Sequence, residues 1–195
     1  MTFASKLAAR LAKLPPATTP AVTVDRDIAI TMPDSVTLLA DRYYPTAEPN
    51  GLPLLLTRTP YGRLIEGVLA RLYAERGYQV LIVSSRGTFG SGGEWLPFRN
   101  EREDGRAVLA WVADQPWFGG KAGLYGASYV GLTQWSVIDG LPDYVKAWAP
   151  TVTSSYFADL FYPGNSFTLE TTLTWIDGLA HQEEKMPRPL LRVFG

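Results

Sequence analysis

Residues 123–131 read Gly-Leu-Tyr-Gly-Ala-Ser-Tyr-Val-Gly, and this stretch is the most informative part of the chain. A short apolar strand at residues 122–125 runs into Gly-Ala-Ser, and an apolar helical pattern begins directly after the serine, Ser128. A serine at a sharp strand-to-helix turn predicts a nucleophile elbow, in which small neighbours accommodate a strained backbone. Such a turn exposes the hydroxyl and directs the first N–H groups of the helix towards a developing oxyanion. The commoner motif is Gly-x-Ser-x-Gly, and Val130 stands here in place of its second glycine.

A catalytic serine needs a base, and the chain contains a single histidine, His181. This histidine lies in a polar run, only four residues after Asp177, so the two side chains would share one face of a helix. That placement differs from an acid and a base delivered by two separate loops. We therefore expect His181 to be a solvated surface residue and assign neither residue to catalysis. The alternative for Ser128 itself is a structural one, as the cap of the helix that follows it.

Outward from the serine, the chain alternates between strand and helix patterns. Residues 22–31 and 36–44 predict an antiparallel hairpin, because each run has strand character and a Pro-Asp-Ser turn separates them. The nearly continuous apolar runs at 52–56 and 80–83 are typical of strands covered on both faces. Helical patterns at 64–73 and 103–114 and a last strand at 144–149 complete the series. This order predicts an α/β fold with a mostly parallel sheet and flanking helices.

The chain divides into three regions in this interpretation. Residues 1–20 are an N-terminal helix and a proline-containing linker, and residues 21–150 are the α/β core. Residues 151–195 are rich in aromatic side chains without strand character, and we expect them to form the beginning of a helical cap. The fold is therefore expected to be truncated at the start of that cap.

Composition narrows the classes of function. The chain has 195 residues, with 46% hydrophobic and 19% charged residues and a formal net charge of −1, which argues against binding nucleic acid or a membrane surface through bulk charge. No run of about 18 apolar residues predicts a membrane span. The absence of cysteine excludes disulfides and thiolate chemistry, and no acidic or histidine cluster has metal-ligand spacing, so we expect neither a metal nor a cofactor. The basic N-terminal stretch lacks the continuous apolar core of a signal peptide, which favours a cytoplasmic location.

Two loops follow the predicted buried strands. Residues 86–93, Arg-Gly-Thr-Phe-Gly-Ser-Gly-Gly, lack the Gly-Lys-Ser/Thr of a phosphate-binding loop and the spacing of a dinucleotide-binding loop. We expect a loop with a defined conformation in which Arg86 makes structural hydrogen bonds, with a nucleotide site as the alternative.

Residues 57–62 place Tyr61 at the carboxyl end of the preceding strand, where α/β sheets carry their sites. The side chain of Tyr61 either packs over the end of the hydrophobic core or presents its hydroxyl to a substrate. The acidic residues 101–104 are expected to support a helix N-terminus.

Several of these segments occur together in one known family. In order along the chain they are residues 56–63, Arg86-Gly87 with the glycines after it, Asp104-Gly105, Trp111, residues 115–117 and residues 126–131. From about residue 22 to residue 150 the chain resembles the cocaine esterase and X-prolyl dipeptidyl-peptidase group of α/β-hydrolases. The resemblance implies that Ser128 is the acyl-forming nucleophile. It also implies that the backbone N–H of Tyr129 and the phenol hydroxyl of Tyr61 form the oxyanion hole.

Members of this family are far longer, and their triad acid and histidine follow the helical cap. The resemblance therefore implies a serine hydrolase acting on a small-molecule ester or peptide substrate, with its acid and base in a missing C-terminal portion or an oligomer partner. Both an esterase and a peptidase acting on X-Pro dipeptides fit. One alternative is a catalytically inactive truncated hydrolase or a partner-binding module, whose exposed sheet edge would bind another chain. The other is a nucleotide-binding domain that uses the glycine-rich loop.

Overall fold

The structure is a computed structural model that describes residues 2–184. Residues 185–195 of the predicted cap region lie outside the described residues, and the boundaries predicted at residues 20 and 150 stay a prediction. Helices and strands alternate along most of the chain. Strands are β1 (Val22–Thr31), β2 (Thr37–Pro45), β3 (Leu54–Thr59), β4 (Gln79–Ser84), β5 (Ala122–Ala127) and β6 (Val145–Thr151). Helices are α1 (Phe3–Leu11), α2 (Arg63–Ala74), α3 (Glu101–Ala113), α4 (Tyr129–Trp135), α5 (Ala158–Phe161) and α6 (Leu169–Ala180), with 3₁₀ turns at Ile138–Gly140 and Pro163–Asn165.

The six strands form one sheet in the order β1-β2-β4-β3-β5-β6. Strand β1 pairs with β2 and β2 with β4 in antiparallel fashion, which confirms the predicted hairpin. The remaining pairs, β3 with β4, β3 with β5 and β5 with β6, are parallel. The mostly parallel α/β sheet predicted from the sequence is therefore confirmed. Its parallel strands bring the ends of β3 and β5, which precede Tyr61 and Ser128, to one edge.

Both faces of the sheet are covered by apolar packing. One face packs Leu56, Leu81 and Leu124 with residues of α3 such as Val108 and Val112. The other face packs side chains of β2, β4 and β5 against α2. This two-sided burial explains why the central strands read as continuous apolar runs in the sequence.

Helix α2 approaches the sheet through its small residues. Its buried positions include Gly67, Ala70 and Ala74, whereas Ile65 and Val68 are 59% and 46% exposed. A Cβ at Gly67 would lie 2.7 Å from the hydroxyl of Tyr43, so a larger residue there would have to displace that hydroxyl. The apolar spacing thus predicts the helix correctly. The face of α2 that lies against the sheet, however, is formed largely by small residues, and several of its large apolar side chains point away from the sheet.

The N-terminal segment is fastened to the end of α2. The Ser5 hydroxyl donates to Oε1 of Glu75 at 2.8 Å in a buried contact, and the N–H groups of Thr18 and Thr19 donate to the Glu75 carbonyl. The predicted linker is therefore held against the core at this point. Within residues 2–184, no helix has the length and apolar character needed to cross a membrane.

Strand β6 forms one edge of the sheet. It pairs with β5 on one side, and most of its residues are exposed, including Lys146, Ala147 and Ala149. Among the described residues no strand pairs with its other side. An edge of this kind can accept a further strand.

Candidate active site

Ser128 lies between the end of β5 and the start of α4 in a backbone conformation that few side chains adopt. Its φ is 58° and its ψ is −126°, so the residue carries backbone strain. Gly126 has φ +144°, and a Cβ there would lie 2.1 Å from Cγ1 of Val130, which explains the glycine two residues before the serine. Gly131 allows a second close approach, because a Cβ there would lie 2.7 Å from Cγ2 of Thr153. The turn at Ser128 thus depends on a local contact at Gly126 and on a contact of Gly131 with the segment after β6.

The Ser128 hydroxyl is exposed and is not used as a helix cap. Ser128 occupies the position before α4, yet its side chain makes no capping hydrogen bond, so the structural alternative for this serine is wrong. Its own N–H donates to the carbonyl of Thr151 at 2.9 Å, which fixes the elbow to β6. The hydroxyl oxygen lies 3.5 Å from the hydroxyl oxygen of Tyr61, a long contact that a bound substrate can tighten.

Tyr61 is held over the end of β3 by its neighbours. Its N–H donates to Oγ1 of Thr59 at 3.1 Å, and the following residue, Gly62, has φ +93° and lies against the ring of Phe89. The indole Nε1–H of Trp175 in α6 donates to the phenol oxygen of Tyr61 at 3.4 Å. The hydroxyl of Tyr61 therefore lies beside that of Ser128, and its presentation to a substrate stays a prediction.

The side chain of Tyr129 turns into the core, whereas its N–H belongs to the first turn of α4, where intrahelical acceptors are missing. Its hydroxyl donates to Oε1 of Glu101 at 2.9 Å and accepts from the N–H of Phe98 at 2.9 Å. Oε2 of Glu101 pairs with Nη1 of Arg58 at 2.8 Å, and both charged side chains are buried. Burial, followed by the charge of Glu101, raises the pKa of Tyr129 well above its usual value. The phenol therefore stays neutral, and its hydrogen bond to Glu101 joins α4 to the start of α3.

A cavity of about 270 Å³ opens beside Ser128. Its wall combines core residues with residues of α5, α6 and the loops between them, and no residue of the wall carries a charge. Rings dominate one side, where Trp175 stacks on Phe98 with a centroid distance of 6.2 Å and on Tyr129 at 5.9 Å. The ring of Phe161 packs against Trp175 with a centroid distance of 6.5 Å. The aromatic residues that the sequence assigned to a cap thus line a space next to the predicted nucleophile.

His181 lies at the end of α6 and pairs with its own helix. Its Nδ1 is 2.9 Å from the carbonyl oxygen of Asp177 and 3.3 Å from Oδ1 of the same residue, and both side chains are exposed. The shared helix face expected from their spacing is therefore confirmed. Within residues 2–184, the Ser128 hydroxyl has no histidine or carboxylate among its hydrogen-bond partners.

The glycine-rich loop is held in place by hydrogen bonds from Arg86. Arg86 donates to both carboxylate oxygens of Asp104, from Nε at 3.0 Å and from Nη2 at 2.6 Å, and its Nη1 donates to Asp34 at 2.6 Å. A Cβ at Gly87 would lie 2.2 Å from the backbone N of Trp95, so the loop is folded tightly on itself. The structural hydrogen bonds expected of Arg86 are confirmed. Among the described residues, no group of three or more histidine or acidic side chains could hold a metal ion.

Two residues of the site were missed by sequence reasoning. The sequence predicts that Glu101 supports a helix N-terminus, and it does begin α3, but it also joins Arg58 to Tyr129 as a buried carboxylate. The sequence places Trp175 among the aromatic residues of the cap, whereas its N–H donates to Tyr61, 114 residues away in the chain. Local periodicity carries no signal for partners so far apart in the sequence.

Solved structures with the same architecture support this description of the fold. An aminopeptidase from a marine sediment Thaumarchaeota archaeon aligns with a TM-score of 0.67 at 22% identity, over 85% of this chain and 32% of its own. A CocE/NonD family hydrolase from Staphylococcus aureus aligns with a TM-score of 0.57 at 24% identity, over 65% of this chain and 27% of its own. The fold is that of the α/β-hydrolases.

Sequence comparison identifies the family. Cocaine esterase from Rhodococcus sp. (strain MB1 Bresler) is 32% identical over 160 residues, which are 78% of this chain and 28% of the esterase. The chain thus spans less than a third of the length of that relative. The family described as X-Pro dipeptidyl-peptidase (S15 family) matches residues 34–193, and this chain belongs to that family.

Proposed function

We propose that this chain carries the nucleophile of a serine hydrolase that cleaves ester or amide bonds through an acyl-enzyme on Ser128. One observation carries the proposal: an exposed serine in a strained elbow faces a second hydroxyl, that of Tyr61, across 3.5 Å. Strain at an exposed polar residue is typical of functional positions. Family membership and the cavity beside the serine support the same conclusion.

In the proposed reaction, Oγ of Ser128 attacks the carbonyl carbon of the substrate and loses its proton to a base. The resulting oxyanion accepts hydrogen bonds from the N–H of Tyr129 and the O–H of Tyr61. Collapse of this intermediate breaks the bond to the alcohol or amine, which leaves with the proton from the base. Water then attacks the acyl-serine ester, releases the acid and restores the serine.

We propose that the base and its orienting acid come from polypeptide other than residues 2–184. Among those residues the one histidine, His181, is paired with Asp177 and is not a partner of Ser128. Because the chain matches only 28% of the cocaine esterase sequence, a longer protein or a second chain can provide both groups.

The uncharged aromatic wall of the cavity supports a substrate with an apolar group next to the scissile bond. An apolar acyl or leaving group would fill this space. A small-molecule ester and an X-Pro dipeptide derivative both meet that requirement, so both belong to the proposal.

Turnover of p-nitrophenyl butyrate by the purified chain and by Ser128→Ala tests the proposal. Because an oxyanion hole retains residual catalysis when the base of a triad is absent, we expect the chain alone to release nitrophenol slowly but in a serine-dependent way. An acyl adduct on the peptide that contains residue 128 should be detected by mass spectrometry. The Ser155→Ala variant is a matched control, because Ser155 is an exposed serine that does not line the cavity. Equal turnover in the Ser128→Ala and native chains would contradict the assignment.

The exposed edge strand β6 favours a second candidate, a partner-binding module without turnover of its own. In that case the folded chain would release no nitrophenol and would form no adduct. Adding a polypeptide that pairs with β6 would then be required before any reaction at Ser128.

A further inference from the structure

We propose that Trp175 is a positioning residue for Tyr61, so that helix α6 sets the hydrogen-bond donor of the oxyanion hole. This inference rests on the proposed function, in which Tyr61 stabilises the oxyanion. Trp175 itself need not touch the reacting atoms to act in this way. Its effect passes through the phenol of Tyr61.

The first support is the direction of one hydrogen bond. The indole of Trp175 can only donate, and it donates to the phenol oxygen of Tyr61 at 3.4 Å. The phenol oxygen therefore acts as an acceptor on that side, and its single O–H is left to point elsewhere. Ser128 lies on the other side, with its Oγ 3.5 Å from the same phenol oxygen. The indole thus biases the phenol proton towards the place where the oxyanion forms.

The second support is that the turn after α6 contacts the backbone before Tyr61 and the phenylalanine that packs on the residue after it. The side-chain amide of Gln182 donates to the carbonyl of Pro60 at 2.7 Å. The carboxylate of Glu183 accepts from the N–H of Phe89 at 2.8 Å, and the ring of Phe89 packs on Gly62. Residues 175–183 therefore make three contacts around Tyr61: one with Tyr61 itself, one with Pro60, and one with Phe89.

The third support is the rigidity of the indole. Trp175 is half-buried and lies between rings, stacked on Phe98 and Tyr129 and edge-on to Trp95 at 6.1 Å. The stacking partner Tyr129 is itself tied to the buried carboxylate of Glu101. Because the same indole lines the cavity, a bound apolar group would press on the residue that orients Tyr61.

A double-mutant cycle in the full 195-residue chain tests the inference. Trp175→Phe keeps an aromatic ring and removes the N–H, and we expect kcat for p-nitrophenyl butyrate to fall about three- to tenfold, as for loss of one neutral hydrogen bond. In a Tyr61→Phe background the same change should have no further effect on kcat, because its target is gone. A purely structural Trp175 would lower kcat by the same factor in both backgrounds, which would overturn the proposal.

Phe161→Leu is the matched comparison, since Phe161 lines the cavity beside Trp175 without a hydrogen bond to Tyr61. Its effect should appear in KM and should be the same with tyrosine or phenylalanine at position 61. A non-additive effect of Phe161→Leu would mean that the whole wall acts on Tyr61, and the specific role of Trp175 would be lost.

A second readout does not depend on turnover. In a chain labelled with ¹⁵N at its indole nitrogens, Tyr61→Phe should shift the Nε1–H signal of Trp175 and speed its hydrogen exchange. Tyr78→Phe, a partly exposed tyrosine that packs on Tyr73, should leave that signal in place. An unchanged Trp175 signal in Tyr61→Phe would overturn the inference. If Ser128→Ala shows that the hydrolase proposal fails, this measurement still decides whether Trp175 holds Tyr61.

Discussion

At the scale of single residues, the hydroxyl groups of Ser128 and Tyr61 are held in place by different contacts. Ser128 is held by its backbone, through a strained elbow and a bond to β6. Tyr61 is held through its side chain as well, by the indole of Trp175. In the proposed reaction this difference fits the two roles, since the oxygen of Ser128 moves towards the substrate whereas the oxyanion donor Tyr61 acts best when it is fixed beforehand.

We expect Tyr61→Phe to slow acylation of Ser128 by about a hundredfold or more, the usual effect of removing one oxyanion donor. The phenyl ring preserves the packing, so the melting temperature should change little. Burst-phase kinetics with an activated ester would measure the acylation rate directly. Tyr162→Phe, at an exposed tyrosine of the helical segment, is the control. An unchanged rate in Tyr61→Phe would assign Tyr61 to a structural role.

At the scale of elements, one buried carboxylate joins three of them. Glu101 begins α3, and it pairs with Arg58 of β3 and with Tyr129 of α4. Arg58 also donates to the carbonyl of Thr133 in α4 at 2.9 Å, which closes the connection. The strand that precedes Tyr61 and the helix that follows Ser128 are thereby held at a fixed distance.

We expect Glu101→Gln to lower the free energy of unfolding by roughly 3 kcal/mol, because it leaves the buried guanidinium of Arg58 without its counter-charge. Asp139→Asn is the matched control. Asp139 pairs with Arg102 and Arg106 on the surface, where its loss should cost less than about 1 kcal/mol. Urea unfolding of both variants measures the difference. Equal losses would show that burial does not strengthen the Glu101 contacts.

The elements that were predicted well are those with a local signal. The β1–β2 hairpin and the alternation from β3 to β6 follow from periodicity and turn residues, and the elbow follows from Gly126 and Ser128. Glu101 and Trp175 could not be placed, because their partners lie 43 and 114 residues away. Contacts of that kind depend on how the elements pack, which a single sequence does not encode in any local pattern.

At the scale of the whole molecule, the two-sided sheet buries several tyrosine hydroxyls. Burial raises the pKa of Tyr43, that of Tyr125 and that of Tyr129, and it raises the pKa of Tyr144 to about 12. The folded chain therefore keeps these protons at a pH where the unfolded chain, with ordinary values near 10, has lost them.

It follows that the free energy of unfolding should fall as the pH rises above about 10, by up to roughly 1.4 kcal/mol per pH unit for each such tyrosine. The sign follows from linkage, since the unfolded state then binds fewer protons than the folded state. Urea midpoints at pH 8 and pH 10.5 measure the effect, and Tyr125→Phe should reduce the slope. Tyr162→Phe, at an exposed position, should not. A native slope that Tyr125→Phe leaves intact would contradict this explanation.

The strained backbone at Ser128 has a consequence for selecting variants of this protein. A residue with positive φ in this region destabilises the fold by about 1 to 3 kcal/mol, and glycine would relieve most of it. Under heat selection alone, a simple gain in heat tolerance is therefore available at the position of the proposed nucleophile. A library screened for survival at high temperature would accumulate chains that are robust and inert. Directed evolution of this scaffold consequently has to score reaction and heat tolerance in the same round.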